Sequence, residues 1–119
     1  MTVDEKRETL KGYREIDRHI CQLNSELKRW KSMSDAADSE RRTKDIKQEL
    51  DRYIIDLFEL RGKIEAAIGK LQNHAQREIL RIRYIEGQTN WWIISERVGY
   101  SRKQALRLHK AALEDIEFI

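Results

Sequence analysis

Apolar residues recur along the first 72 positions in two long seams. Tyr13, Ile16, Ile20, Leu23, Leu27 and Trp30 follow one another at intervals of 3, 4, 3, 4 and 3 residues. Ile46, Leu50, Tyr53, Leu57, Leu60, Ile64, Ala67 and Leu71 repeat at intervals of 4, 3, 4, 3, 4, 3 and 4. Alternating threes and fours keep an apolar stripe on one face of an α-helix. The spacing predicts helices over about 4–31 and 43–72. Ser32 to Thr43 is polar and breaks the seam, so a short link is expected there and the two helices read as an antiparallel hairpin. The seam is read as the hairpin's own core, and it is also a candidate for joining chains, because a lone two-helix hairpin buries little apolar area. Ile54, Phe58 and Ile68 lie off the second seam and widen its apolar face. That excess favours a further partner surface, either the C-terminal domain or another subunit.

The periodicity changes after Leu71. Asn73 is a candidate cap where the chain leaves the hairpin, and Gln76–Glu86 (QREILRIRYIE) carries Ile79, Leu80, Ile82 and Ile85 before Gly87 stops it. Asn90 then caps a short segment with Trp91, Ile94 and Val98 on one face. Ser95 is small enough to let another helix cross closely. Gly99 supplies a left-handed residue and Ser101 caps the next helix two residues on. Three helices are expected, at about 75–86, 90–98 and 101–117, and the last two form a helix-turn-helix. The predicted fold is all-α: a coiled-coil-like N-terminal hairpin over 1–72, followed by a three-helix helix-turn-helix domain over 73–119.

Composition supports the helical reading. The 119 residues include no proline and five glycines, and 38% are charged. The net charge of +3 is modest, but its distribution matters more. From Arg97 to Leu113 there are five cations (Arg97, Arg102, Lys103, Arg107, Lys110) and no acid, while Glu114, Asp115 and Glu117 sit at the end. A local basic stripe is what a DNA-binding helix requires. Cys21 is the only cysteine, which excludes an intrachain disulfide and fits a reducing compartment. MTVDEKRETL has no apolar core of a signal peptide and no segment approaches membrane-spanning length, so no membrane role and a cytoplasmic location, in a bacterial host cell, are expected.

Enzyme chemistry finds no foothold. His19, His74 and His109 are scattered, and only His19 lies near Cys21, so no metal site is expected. Asp4–Glu5 and Asp115–Glu117 lie among mixed charges without a pocket pattern. No phosphate-binding glycine loop or nucleophile elbow occurs. No catalytic residue and no cofactor is assigned.

The runs Leu80–Gly87 (LRIRYIEG), Ile94–Ser101 (ISERVGYS) and Arg107–Leu113 (RLHKAAL) resemble region four of bacterial sigma factors, which reads the promoter −35 element and docks on RNA polymerase. The chain looks similar to small phage and prophage transcriptional regulators that join a helical hairpin to such a module. The specific match covers about 40 residues; the hairpin matches only in kind. Three departures stand out. Trp92 and Ile93 occupy positions that usually carry acids, Gln88–Thr89 makes the linker one residue longer, and Ala105 replaces a larger aliphatic.

The resemblance implies double-stranded DNA as partner, with RNA polymerase as a second. It implies that Arg102, Lys103, Gln104 and Arg107 face DNA behind the capping Ser101, and that Ala105, Leu108 and Ala112 face inward. Arg can bridge a guanine and Gln an adenine through paired hydrogen bonds. Lys103 and Lys110 suit phosphates, which position without specifying. Leu106 either meets a thymine methyl or packs. A merely solvated cationic face is the competing reading, and the absence of compensating acids at i+4 argues against it. Trp91 is expected in the core; Trp92 and Ile93 diverge from it by about 100° per residue. Either the hairpin covers that pair, the outcome expected here, or they form a patch for polymerase or a second subunit. The expected function is sequence-specific DNA binding in transcription regulation, with a homodimer through the hairpin as one arrangement. The alternatives are a packaging protein of the terminase small-subunit type, whose helix-turn-helix usually comes first, and a helical protein-interaction adaptor.

Overall fold

A computed structural model describes residues 1–33 and 36–118. The fold is all-α, without a strand among the described residues. Its elements are α1 (Val3–Ser32), α2 (Ala36–Gly69), α3 (His74–Leu80), a π-helical turn (Arg81–Ile85), α4 (Trp91–Val98) and α5 (Arg102–Asp115). Asp4 and Glu5 lie in the first turn of α1, with Arg29 and Lys31 in its last, so the charges complement the helix dipole at both ends.

The link between the long helices is shorter than the polar run Ser32–Thr43 suggested, because α2 already begins at Ala36. Residues 36–42 (AADSERR) consist mostly of good helix formers, and the polarity of the last five does not stop a helix. Ser34 and Asp35 of the expected link lie outside the described residues.

Contacts divide the chain into Glu15–Glu59 and a unit made of Met1–Arg14 with Leu60–Ile119. This differs from a cut at residue 73: both long helices begin or end in the unit that carries the helix-turn-helix. Glu15–Glu59 is an antiparallel helix pair. The Ser39 hydroxyl donates to the Trp30 carbonyl at 2.8 Å, Arg42 donates to Glu26 at 2.7 and 3.2 Å, and the His19 and Tyr53 rings lie 4.5 Å apart. Partners thus rise along one helix as they fall along the other. Ile20, Leu23, Ile46 and Leu50 form the core, with Ile16, Leu27, Trp30, Tyr53 and Leu57 packed around it, which are the parts of the two seams that fall in this unit. Ile55 and Phe58, pointing away, stay 58% and 69% exposed.

The other unit buries far more. Leu10, Ile64, Ile68, Ile79, Leu80, Ile82, Ile94, Leu113 and Ile116 are all fully buried, each contributing about 1.5–3 kcal/mol relative to exposure. Helix α5 packs on α3 and α4. The start of α1 braces this core: the Lys6 ammonium donates to the Glu114 carbonyl at 2.8 Å, and Arg14 donates to the Ile85 carbonyl at 3.3 Å. Arg77 donates to the Leu71 carbonyl. Asn73 caps α3 as expected, its side chain accepting from the Gln76 amide at 3.0 Å. The expected continuous helix over 75–86 instead widens to π at Arg81, where the Glu86 amide reaches back five residues to the Arg81 carbonyl.

Candidate nucleic-acid interface

The two helices of the helix-turn-helix begin at well-made caps. The Asn90 side chain accepts from the Trp92 amide at 2.9 Å. At the far end of α4, Gly99 adopts φ +77°, and the Gly99 and Tyr100 amides reach the Glu96 and Ser95 carbonyls at 3.3 and 3.1 Å. That pair of bonds is a Schellman stop, which requires the left-handed conformation glycine adopts without penalty. Ser101 then opens α5 in a capping box with Gln104.

Packing fixes which side of α5 turns outward. Ala105 is buried in one cluster with Ile79, Ile82 and Ile94, with Trp91, Val98 and Leu108 packed against it. Ala112 and Leu113 are also buried. Ser95 is buried too, and its hydroxyl is satisfied by the Trp92 carbonyl at 2.9 Å. The inward face thus has the small residues Ala105 and Ser95 where larger ones would hold the helices apart. Ser101, Arg102, Lys103, Gln104, Leu106, Arg107 and Lys110 are all exposed. Among the described residues, Lys103, Arg107 and Lys110 have no ion-pair partner.

Three expectations change here. Arg97 is not part of a free cationic stripe: it grips the Glu86 carboxylate at 2.6 and 3.1 Å, and that contact holds Glu86 below the usual carboxylate range. Gln104 is not free for a paired contact to adenine, because its side-chain oxygen accepts from the Ser101 amide at 3.3 Å. Such a contact requires breaking the capping box. Trp92 and Ile93 are not covered by the hairpin. They are 65% and 40% exposed, while Trp91, the neighbour expected in the core, is half-buried.

Two groupings left no trace in the spacing of residues. The first is around His109. Its Nε2 lies 2.7 Å from the Tyr84 hydroxyl, and the Trp91 ring meets it edge-on at 4.9 Å. Burial, and then the charges of Arg83 and Arg7, push the imidazole down to about 4. Burial also raises the Tyr84 phenol. With the imidazole neutral and the phenol protonated, the two share one hydrogen bond whose donor is set by the imidazole tautomer. His109 is therefore a packing group that ties α5 to the π turn, not a phosphate-proximal cation. The second grouping is the Arg102 guanidinium over the Trp92 ring, 4.5 Å from its centroid.

Gly87 shows the same economy of space. It has φ +80°, and a Cβ there would lie 2.5 Å from Arg14 Cζ, so the turn between the π segment and α4 admits only glycine while Arg14 keeps its bond to Ile85.

Among the described residues, no group of three His, Cys, Asp or Glu could hold a metal ion, and no helix is long and apolar enough to cross a membrane. Comparison of the chain with protein-family profiles, curated proteins and solved structures gives no match.

Proposed function

We propose that this chain is a sequence-specific, double-stranded-DNA-binding transcription regulator that inserts the first turns of α5 into the major groove. The observation that carries the reading is the outward face of α5. A capped helix begins at Ser101 and directs Arg102, Lys103, Arg107 and Lys110 to solvent, with no acid between Arg97 and Leu113. Arg102 and Arg107 read base edges, Lys103 and Lys110 hold phosphates, and Leu106, at 42% exposure, is available to a thymine methyl. Selection of bound sequences from a random DNA pool tests this. A recovered motif supports the reading, and Arg107→Ala then weakens binding to it by roughly 1–3 kcal/mol. Absence of DNA retention even at low salt, where phosphate contacts are strongest, would instead mark a protein-interaction adaptor.

The exposed Ile54, Ile55 and Phe58 on α2 favour a homodimer through the hairpin, which would present two readers to two half-sites. Mass in solution decides it: a dimer supports the arrangement, whereas a ring of eight or more subunits favours a packaging protein. The resemblance to sigma region four supports a phage or prophage origin in a bacterial cytoplasm and a contact with RNA polymerase, to which we assign the uncovered Ile93. The chain is read as having no catalytic role.

A further inference from the structure

We infer that Trp92 is a positioning residue for DNA reading, an aromatic shelf that holds the Arg102 guanidinium oriented for a guanine. The inference rests on the DNA-binding reading above and adds a residue to it. Arg102 is the first residue of α5, and side chains of that first turn are the ones that reach base edges. A free arginine there would sample many rotamers. Here its Cζ sits 4.5 Å from the Trp92 ring centroid, well inside the range of cation–π attraction.

The kind of partner matters as much as the contact. A carboxylate beside Arg102 would neutralise it and occupy the N–H groups that a base must meet. An indole face engages only the flat side of the guanidinium. The five N–H donors lie in the guanidinium plane, so those on its outer edge stay available for the O6 and N7 acceptors of guanine. Trp92 therefore orients the cation without cancelling it.

The shelf is itself fixed. The Trp92 amide is capped by Asn90 at 2.9 Å and its carbonyl accepts from the Ser95 hydroxyl at 2.9 Å, and Ser95 is buried beneath it. The side chain remains 65% exposed, far too open to be a core residue. Its neighbour Trp91 does the packing, edge-on to His109. Two adjacent tryptophans thus divide the labour, one for the core and one for the reading surface.

The test uses the full chain and the DNA site recovered by selection with the unaltered protein. Affinities are measured for Trp92→Ala, Trp92→Phe, Trp92→Leu, Arg102→Ala and the Trp92→Ala/Arg102→Ala double variant, on that site and on sites with single base changes. Trp92→Ala and Trp92→Leu are expected to weaken binding roughly two- to fivefold, and Trp92→Phe, which keeps a π face, to retain most of the affinity. In the Arg102→Ala background, Trp92→Ala is expected to add nothing. Both single alanine variants are expected to relax preference at the same guanine. Leucine keeps apolar bulk without the π face, so it still decides the matter if alanine impairs folding. Additive losses in the double variant, or weakening with the guanine preference intact, would overturn the shelf while leaving DNA reading in place. Failure of the unaltered protein to recover any motif would instead overturn DNA reading and the shelf with it.

Discussion

The two compact units handle apolar surface differently. Among the described residues, ten large side chains are fully buried; nine belong to the unit carrying the helix-turn-helix and only Ile46 belongs to Glu15–Glu59. A pair of helices can bury one stripe per helix; whatever lies off that stripe faces solvent, as Ile55 and Phe58 do. Three short helices crossing one another, braced by the start of α1 and the end of α2, enclose a centre from several sides. The proposed reading surface of α5 thus belongs to the well-filled unit, while the hairpin leaves apolar side chains exposed.

Core truncation gives the largest expected effect on this contrast. Ile94→Ala removes a fully buried side chain and is expected to cost about 2–5 kcal/mol in denaturant titrations. Leu57→Ala, in the hairpin where the side chain is only partly buried, is expected to cost clearly less. Equal losses would erase the contrast.

The two left-handed glycines sharpen it next. Gly99→Ala meets backbone strain alone, with nothing within 4 Å of the added Cβ, and is expected to cost about 1 kcal/mol. Gly87→Ala meets the same strain and also displaces Arg14, so about 2 kcal/mol is expected. A Gly87 variant no less stable than the Gly99 variant would mean that the Arg14 brace contributes nothing.

Acid should act through the well-filled unit. His109 is held at about 4 against an ordinary value near 6.5. The unfolded chain therefore takes up a proton first as pH falls, and this contribution to stability is complete above 6.5 and lost progressively towards 4. Discounted for partial exposure of the ring, the loss between pH 7.5 and 5 is about 1–2 kcal/mol. It should be missing from the pH profile of His109→Gln. Identical pH slopes for the two proteins would remove His109 from the account.

The smallest effect on stability belongs to the hairpin's open face. Phe58→Ser is expected to change unfolding by less than about 0.5 kcal/mol when the chain is monomeric, yet to shift any monomer–dimer equilibrium measured by sedimentation. A large loss in the monomer would mean that Phe58 is packed.

Much of this architecture is legible in the sequence, because its determinants are local. The heptad seams, the caps Asn73, Asn90 and Ser101, and the stops Gly87 and Gly99 all act within a few residues of themselves. The inward turn of Ala105 and Ala112 follows from the same periodicity. Features that depend on distant partners were not legible. Lys6 and Glu114 are 108 positions apart, and no local pattern marks a polar residue at the start of a hairpin helix as a brace for the last one. Adjacent apolar residues such as Trp92 and Ile93 must point in different directions, but which of them is covered depends on where other elements lie. Gln104 illustrates a third kind of limit: the same side chain suits a capping box and an adenine contact, and only geometry distinguishes the two.

The bond from Lys6 to the Glu114 carbonyl also bears on the order of events during synthesis. The core residues of Glu15–Glu59 have all been made by the time residue 59 is added. The unit around the helix-turn-helix needs its first residues and its last ones together, so its closure waits for nearly the whole chain. Cations presented by α5 therefore acquire their fixed arrangement only at the end of translation. A truncated or stalled chain would lack the closing contact of the unit that carries the helix-turn-helix.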